Sequence, residues 1–358
     1  MVLSRQATAR LLLLTGIAVA FGWAWRQFNT IPLLVMGQPT SVGLLQREQE
    51  APFFEGLAGR TGLPLKITYR PLESLSIKET HQLETLLEGS VDIVSLRIRQ
   101  NSPKEPTLEG LDLPGTITDF ATASRVAMAY GPTVDRHLQR SFRAKLLGTW
   151  SLGPQILLCR SPIQHLNDLK GRKVRVASTA MGQLISGLGG IPAILPFDQT
   201  KNALAIGLVD CAVTSIASAN FAGWTQHTSY YFPLALQFGI NGYAIALKRW
   251  NQLSPAEQFQ LTQAFNSYTE SLWRYSEALQ RDAESCTIGG TCQRMNRHQL
   301  TRIQPSSQDL QQVLEISRRL MKPSWAKQCE QRHPGCSREW DTLVAPIVYP
   351  TITPPEEP

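Results

Sequence analysis

The sequence predicts an α/β protein with two similar lobes, mainly parallel sheets and a ligand cleft between the lobes. Three observations lead to this prediction: a duplicated motif, a repeated order of strands and helices, and one long capped helix. The motif Leu-x-x-Gly-x-Val-Asp contains Gly89 and Asp92 in its first copy and Gly207 and Asp210 in its second. Each glycine ends a helical pattern, where positive φ is favoured, and Val-Asp opens an apolar strand. Two such halves facing each other would form a cleft suited to a ligand.

Apolar periodicity gives the order β-α-β-α-β twice. In the first copy the strands and helices alternate at 31–36, 48–58, 65–69, 78–87 and 91–96. In the second copy they alternate at 173–177, 181–188, 193–195, 199–206 and 209–216. Right-handed crossovers then give each half a mainly parallel sheet that is covered by helices.

The segment 125–160 is predicted to connect the halves. Short apolar runs alternate there with two turn-forming pairs, Gly131-Pro132 and Gly153-Pro154. Such pairs interrupt regular structure, so we expect crossing segments and a hinge in this region. The run 243–247 is predicted to be a strand that returns to the first half.

The clearest local signal is the start of a helix at Ser254. Ser254-Pro255-Ala256-Glu257 is a capping box, in which the Ser hydroxyl accepts from the third helical N–H and Glu reaches back. Apolar residues follow with gaps of four and three to about residue 282, which predicts a helix of ~40 Å that braces both lobes. A last helix is expected at about 308–320, followed by Trp325.

The N-terminal segment 1–29 has the pattern of an export signal. Arg5 and Arg10 precede an apolar run at 11–25, and the first acidic residue comes only after this segment. The sequence Ala-Val-Ala at 18–20 favours cleavage, whereas the aromatic residues after it favour an uncleaved membrane anchor, and both alternatives stay open. At the other end, 346–358 is predicted to be a proline-rich tail.

Export places the six cysteines in an oxidising compartment. Two candidate disulfides close short loops, namely Cys286 with Cys292 and Cys329 with Cys336. Cys159 and Cys211 lie in apolar, strand-like runs and are interpreted as small buried side chains, with their redox state left open. No cysteine or histidine has partners at the spacing of a zinc site, so no metal site is predicted.

Composition and motifs disfavour nucleic-acid binding and catalysis. The net charge of +7 is modest, and Lys and Arg are scattered along the chain. That distribution agrees with a mild attraction for small anions. The sequence has no G-x-S-x-G elbow, no H-E-x-x-H motif and no phosphate-binding loop. We therefore predict a protein that is not an enzyme and uses no cofactor.

The stretch 168–210 resembles a known family. It opens with Asp168-Leu169-Lys170-Gly171, continues through a Lys-Val-Arg-Val strand and Gly-Gly-Ile-Pro, and ends with the second copy of the duplicated motif. In order and spacing it resembles the extracytoplasmic solute-binding proteins of tripartite ATP-independent periplasmic (TRAP) transporters. A looser likeness extends over about 30–325. The resemblance implies a periplasmic-binding-protein-like fold, a periplasmic location, a small organic acid as ligand, and the small and large membrane subunits as partners.

The resemblance also implies that Arg175 binds the carboxylate of the ligand. A guanidinium presents two parallel N–H donors to a carboxylate and keeps its charge at physiological pH. The alternative is a structural salt bridge to an acidic residue of the same chain. Arg97, at the end of a first-half strand, is a candidate for a second cation in the cleft, and its alternative is an exposed surface arginine.

Other candidate ligand residues depart from the family pattern. Where many relatives have an Arg and an Asn, this chain has Gln155 and Thr214, which implies a ligand different from that of the sialic-acid binders. Asn220, Trp224 and Asn241 are further candidates for the cleft lining. For Trp224 the alternative is core packing, and for Asn241 it is a role in a turn.

The predicted domain division is lobe I at 30–152 and 241–282, and lobe II at 153–240 and 283–345. The main functional hypothesis is a binding protein that closes its lobes around an organic anion and delivers it to a membrane permease. The alternative is a membrane-tethered sensory or scaffolding relative that keeps the fold without delivering a solute. An exported enzyme on the same fold would need a nucleophile or a metal cluster.

Overall fold

The computed structural model describes residues 30–349. The predicted export segment therefore lies outside the described residues, as does most of the predicted tail. Within the described range, no helix combines the length and the apolar character that a membrane crossing requires.

Eleven strands form two sheets within this range. In chain order they are β1 (Ile31–Gly37), β2 (Leu65–Pro71), β3 (Ile93–Leu96), β4 (Ala144–Ser151), β5 (Gln155–Cys159), β6 (Lys173–Val176), β7 (Ile191–Ile194), β8 (Cys211–Thr214), β9 (Tyr230–Gln237), β10 (Ile240–Ala246) and β11 (Thr301–Arg302).

Helices cover both sheets. In chain order they are α1 (Ala51–Glu55), α2 (Leu57–Thr61), α3 (Gln82–Glu88), α4 (Ile98–Asn101), α5 (Phe120–Phe142), α6 (Thr179–Gly187), α7 (Phe197–Ala205), α8 (Ile216–Phe221), α9 (Leu247–Trp250), α10 (Pro255–Thr287), α11 (Ser307–Ile316), α12 (Lys322–Arg332), α13 (Cys336–Leu343) and α14 (Ala345–Val348). Shorter 3-10 or π-helical segments lie at Thr40–Val42, Gln46–Glu50, Leu72–Leu75, Glu79–His81, Pro106–Leu111, Leu166–Leu169, Trp224–Gln226 and Ser317–Met321.

The two sheets share one topology. Sheet A has the order β2-β1-β3-β10-β4, and sheet B has the order β7-β6-β8-β5-β9-β11. The first three strands of each are parallel, and the fourth is antiparallel to both neighbours. The predicted α/β class and both β-α-β-α-β repeats are confirmed.

The two copies of the duplicated motif make equivalent hydrogen bonds in the two sheets. The Asp92 carboxylate accepts a hydrogen bond from Leu34 N in β1 at 2.7 Å, and the Asp210 carboxylate accepts one from Lys173 N in β6 at 2.8 Å. Gly89 caps the end of α3, Gly207 follows shortly after the end of α7, and both have φ of 75°. Each aspartate thus fixes the start of its own strand against the adjacent parallel strand, and the two copies of the motif have the same structural role.

The chain crosses between the sheets at two neighbouring places. β4 of sheet A continues through 152–154 into β5 of sheet B, and β9 of sheet B continues through 238–239 into β10 of sheet A. The two crossings touch, because Leu152 N donates to Gly239 O at 3.0 Å. The Gly153-Pro154 pair of the predicted connection does lie at a crossing.

The other part of the predicted connection is wrong. Pro132 lies inside α5, a helix of 23 residues, and is not part of a crossing segment. A proline inside a helix costs ~3 kcal/mol, but burial of one large apolar side chain contributes about 1.5–3 kcal/mol. α5 buries Val126, Tyr130, Val134 and Leu138 at helical spacing. Their combined burial outweighs the cost of the proline.

The long helix α10 starts with the predicted capping box and runs for 33 residues, which is ~50 Å. Its Trp273 Nε1 donates to Thr149 O in β4 of sheet A, at 2.9 Å. Two turns further along α10, Gln280 Oε1 accepts from Ala217 N in α8, on the side of sheet B, at 3.4 Å. α10 therefore contacts both lobes, as predicted, and extends five residues beyond the predicted end at 282.

The C-terminal helices pack across the molecule. Trp325 Nε1 in α12 donates to Pro106 O at 2.8 Å, and Trp340 Nε1 in α13 donates to Gly110 O at 2.9 Å. In α11, Asp309 accepts from Leu166 N near sheet B, at 2.8 Å. This segment contacts residues on both sides of the predicted lobe boundaries, so the exact division of the chain stays a proposal.

The cysteines form three pairs. Cys286 bonds to Cys292 and Cys329 bonds to Cys336, which are the two candidate disulfides. Cys159 and Cys211 are fully buried, as interpreted from the sequence, and the structure answers the open question of their redox state by joining them in a third disulfide. They face each other across the antiparallel strands β5 and β8, with Cα atoms 4.1 Å apart. That pairing follows from the strand register and not from a short loop.

Two glycine substitutions test the role assigned to the first motif. Gly89 has φ of 75°, whereas Gly59 lies within α2, and a Cβ added at either would meet no atom within 4 Å. We expect Gly89→Ala to lower the free energy of unfolding by ~1–2 kcal/mol through backbone strain. Gly59→Ala should raise it by ~0.5–1 kcal/mol, because Ala loses less entropy in a helix. Urea unfolding midpoints measure both, and shifts of the same sign would contradict the assignment.

Candidate functional site

A cleft of about 690 Å³ lies between the two sheets. The carboxyl ends of parallel strands from both sheets meet there, which is where open α/β sheets bind ligands. Thr40 and Arg97 follow β1 and β3 of sheet A, and Ala177 and Leu195 follow β6 and β7 of sheet B. A larger groove of about 880 Å³ lies between residues 48–61 and α10, but it holds none of the ligand residues predicted from the sequence.

Arg175 of β6 lines the cleft and is only 2% exposed. Its Nε donates to Leu195 O at 3.0 Å, and its Nη1 donates to Val213 O at 3.2 Å. Two backbone carbonyls thus fix the guanidinium, and no described residue pairs with it through a carboxylate within 4 Å. The structural salt bridge that was the alternative for Arg175 is not found in the described part of the chain.

Burial lowers the pKa of Arg175 to about 9, and the positive charge of Arg99 acts in the same direction. The guanidinium therefore stays charged at neutral pH. Its carbon atom Cζ lies 5.2 Å from the ring centre of Trp224, a cation–π distance. The Trp224 ring packs in turn on Phe197, with centroids 4.8 Å apart.

Trp224 does not line the cleft, and this prediction is corrected. The side chain is fully buried and supports Arg175 from the protein side. Trp224 thus takes the core-packing alternative, with an added electrostatic contact to the cation.

Arg97 lines the cleft but is not free. It is 8% exposed, and its Nε lies 3.1 Å from the Glu79 carboxylate. Its Nη1 donates to Gln38 Oε1 at 2.9 Å. The exposed-surface alternative for Arg97 is wrong, and Glu79 already neutralises the charge that the sequence offered as a second cation.

Arg99 is the cleft residue that sequence reasoning missed. It lies in α4, two residues after Arg97, lines the cleft, and donates from Nη1 to Gln155 Oε1 at 3.2 Å. Burial lowers the pKa of Arg99, and the Asp112 carboxylate opposes that shift. The Arg-x-Arg sequence after a predicted strand end was the available signal.

Gln155 and Thr214 both line the cleft, where the sequence placed them. Gln155 Nε2 donates to Gly153 O at 2.9 Å, which leaves Oε1 facing Arg99. The close approach needs a glycine at 239, because a Cβ there would lie 2.7 Å from Gln155 Nε2. Thr214 is 6% exposed at the end of β8.

Asn220 and Asn241 do not line the cleft, and both predictions are corrected. Asn220 accepts from Asn296 N at 2.9 Å and donates to Asn296 O at 2.8 Å, so it fixes the loop after α10. Asn241 lies inside β10 and donates to Gly239 O at 3.1 Å, so it is not a turn residue either. Both amides satisfy backbone groups that only the tertiary fold brings near.

Asp112 ties the cleft to the crossings between the sheets. Its Oδ1 accepts from Phe238 N at 2.8 Å and its Oδ2 accepts from Ile240 N at 3.1 Å. Burial raises the pKa of Asp112 to about 6, although Arg99 and the backbone donors lower it. The carboxylate therefore holds the second crossing while it faces a cation of the cleft.

No group of three His, Cys, Asp or Glu side chains in residues 30–349 is arranged to hold a metal ion.

Residues 46–328 match the family described as bacterial extracellular solute-binding protein, family 7 (DctP). The chain is 24% identical over 184 residues to the sialic acid-binding periplasmic protein SiaP of Vibrio cholerae, covering 51% of this chain and 57% of that protein. It is 25% identical over 138 residues to the C4-dicarboxylate-binding periplasmic protein DctP of Rhodobacter capsulatus, covering 37% and 40%. The matches thus span about half the length of these curated relatives.

Solved structures share the fold. An extracytoplasmic solute receptor of Bordetella pertussis that binds pyroglutamic acid, DctP7, superposes with a TM-score of 0.74 at 15% identity, covering 88% of this chain and 99% of that chain. A TRAP periplasmic solute-binding protein of Desulfovibrio salexigens with bound orotic acid superposes with a TM-score of 0.75 at 16% identity, with the same coverage. At these identities the likeness establishes the two-lobed fold.

The buried Asp112 carboxylate predicts a specific pH dependence of stability. Its pKa in the folded state, about 6, lies above the ordinary value of 3.8. The contribution of this group to stability is therefore fully present below pH 3.8 and is lost as the pH rises through about 6. Relative to Asp112→Asn, the wild-type protein should lose roughly 2 kcal/mol of unfolding free energy between pH 4 and pH 7.

Urea unfolding of both proteins at pH 4, 5, 6 and 7 measures this difference. Asn keeps one acceptor oxygen for Phe238 N and cannot ionise, so the loss of its second acceptor gives an offset that does not vary with pH. A difference between the two proteins that stays constant across this range would contradict the prediction.

Proposed function

The chain belongs to the bacterial extracellular solute-binding proteins of family 7, and from this membership we propose that it binds an organic carboxylate in the cleft at Arg175. The resemblance to the solute-binding proteins of TRAP transporters is thereby confirmed. The proposal extends to delivery of the bound anion to the small and large membrane subunits of such a transporter, in the periplasm.

One observation supports ligand binding above all. Arg175 is a charged, 2% exposed side chain that lines the cleft and, among the described residues, has only backbone carbonyls and an aromatic ring as partners. A buried charge without a counter-charge is costly. A ligand carboxylate would accept the remaining N–H donors and neutralise that charge in a water-poor site.

The rest of the cleft suits a small organic molecule. Apolar side chains from both sides of the cleft line it, namely Val42, Leu72, Ile77, Leu152, Ile194 and Phe197. Such walls contact a carbon skeleton while few polar groups fix its orientation. Because the walls come from both lobes, a ligand that touches both walls favours the closed arrangement of the lobes, with the two crossings as the hinge.

The sensory or scaffolding alternative has less support. One ground for it was an uncleaved N-terminal anchor, and that segment lies outside the described residues. The other ground was that Gln155 and Thr214 stand where many relatives have an Arg and an Asn. Gln155 and Thr214 nevertheless line the cleft beside Arg175, as ligand-binding residues would.

Removal of the Arg175 guanidinium tests the proposal. We expect Arg175→Ala to weaken binding of the best ligand from a carboxylate panel by roughly 30-fold or more, because truncating one side of a buried charged pair costs ~2–5 kcal/mol. Arg175→Lys should recover only part of this loss, since Lys keeps the charge but lacks the planar fork. Isothermal titration calorimetry measures each affinity.

Lys173→Ala is the matched control. Lys173 lies on the same strand two residues earlier, carries the same charge and is exposed. This variant should bind as the wild type does. Wild-type affinity in Arg175→Ala, with a folded protein by circular dichroism, would rule out the central role of Arg175.

A further inference from the structure

We propose that Arg99 is a second anion-binding residue of this cleft, contributed by the sheet opposite to that of Arg175, so that the site prefers ligands with two carboxylates. The proposal rests on the proposed function, because it assigns a second contact to the same ligand. Arg99 lines the cleft together with Arg175, which the structure places on β6 of sheet B.

Arg99 has no counter-charge of its own. Its hydrogen bond goes to a neutral amide oxygen, Gln155 Oε1, and no carboxylate of the described chain lies within 4 Å of it. Arg97, two residues earlier, differs in this respect, because Glu79 pairs with it at 3.1 Å. Arg97 thus has an acidic partner within the protein, whereas Arg99 is available to an anionic ligand.

The nearest acidic groups are already engaged. Asp112, whose charge acts on Arg99, accepts hydrogen bonds from Phe238 N and Ile240 N at the second crossing. Glu79 also acts on Arg99, but it forms the ion pair with Arg97. Neither carboxylate is free to move onto the guanidinium.

The remaining charges of the cleft lie toward solvent. Glu73 accepts hydrogen bonds from the backbone N–H and the hydroxyl of Thr40, while Lys78 and Asp198 are exposed side chains. Exposed charges are screened by water and salt, so they contribute little to the field at the buried guanidinium groups.

The two arginines influence each other electrostatically. Among the charged groups around Arg175, Arg99 has the largest effect, and it destabilises the cationic form of Arg175. Two cations held close together in a partly dry cleft repel each other, and one bound carboxylate relieves only part of that repulsion. A second carboxylate on the same ligand neutralises the second guanidinium.

Gln155 explains how Arg99 is positioned. Gln155 begins β5 of sheet B and is 2% exposed, whereas Arg99 lies in α4 after β3 of sheet A. The hydrogen bond of 3.2 Å between them therefore joins the two lobes at the cleft. A ligand that binds Arg175 and Arg99 together connects the same two lobes, which ties recognition of two carboxylates to closure.

Matched pairs of acids test the assignment. The probes are succinate with butyrate and isophthalate with benzoate, since each pair shares a carbon skeleton and differs by one carboxylate. We expect the wild-type protein to bind the diacid of at least one pair at least ~10-fold more tightly by calorimetry. Arg99→Gln should weaken diacid binding by about 10–100-fold and monoacid binding much less.

Gln155→Glu is a second variant, which gives up the hydrogen bond from Nε2 to Gly153 O. It keeps an acceptor oxygen beside Arg99 but supplies an internal negative charge, so it should also abolish the preference for the diacid. Arg140→Gln, which removes an exposed positive charge of α5 outside the cleft, should keep that preference.

The outcomes separate this proposal from the proposed function. Equal affinity for diacids and monoacids, or an equal loss for both in Arg99→Gln, would contradict the role of Arg99 while leaving carboxylate binding intact. Loss of all binding in Arg175→Ala, together with a retained diacid preference in Arg99→Gln, would also contradict the role of Arg99 and would leave the proposed function intact. Failure of the wild-type protein to bind any of the four acids would count against both proposals.

Discussion

The functional architecture depends on one buried guanidinium. Arg175 is held by two backbone carbonyls and by the face of Trp224, while the described part of the chain supplies no carboxylate to neutralise it. Desolvation of that charge is unfavourable unless an anion completes the site. The stability of the rest of the fold therefore maintains a buried cation without an internal counter-charge, and the proposed anion site depends on this cation.

Duplication of one structural unit creates the space in front of that guanidinium. Asp92 and Asp210 pin equivalent strands in the two sheets, so both halves present the carboxyl ends of three parallel strands. The chain crosses between the sheets before β5 and again before β10, and residues that follow the parallel strands of both sheets line the cleft. α10 contacts both halves, and the chain passes between the sheets at two neighbouring crossings. Movement of one half relative to the other would therefore bend only a few segments. Such an arrangement permits hinge closure around a ligand.

The charges of the cleft are divided between the halves. One half contributes Arg97, already paired with Glu79, and Arg99, paired only with an amide. The other half contributes Arg175 and Gln155. Arg99 and Gln155 are joined across the cleft by a hydrogen bond of 3.2 Å.

Sequence by itself determined the features that depend on neighbours along the chain. These include the β-α-β-α-β order, the glycine at each motif, the capping box at Ser254 and the position of Arg175 on its strand. The tertiary structure decided the rest. Burial of one face of α5 overrides the helix-breaking tendency of Pro132, strand register brings Cys159 opposite Cys211, and packing sends Trp224, Asn220 and Asn241 away from the cleft. Whether Arg97 or Arg99 remains unpaired depends on where Glu79 lies in space. Local patterns record the preferences of single segments, whereas ion pairs, register and burial arise only when distant segments meet.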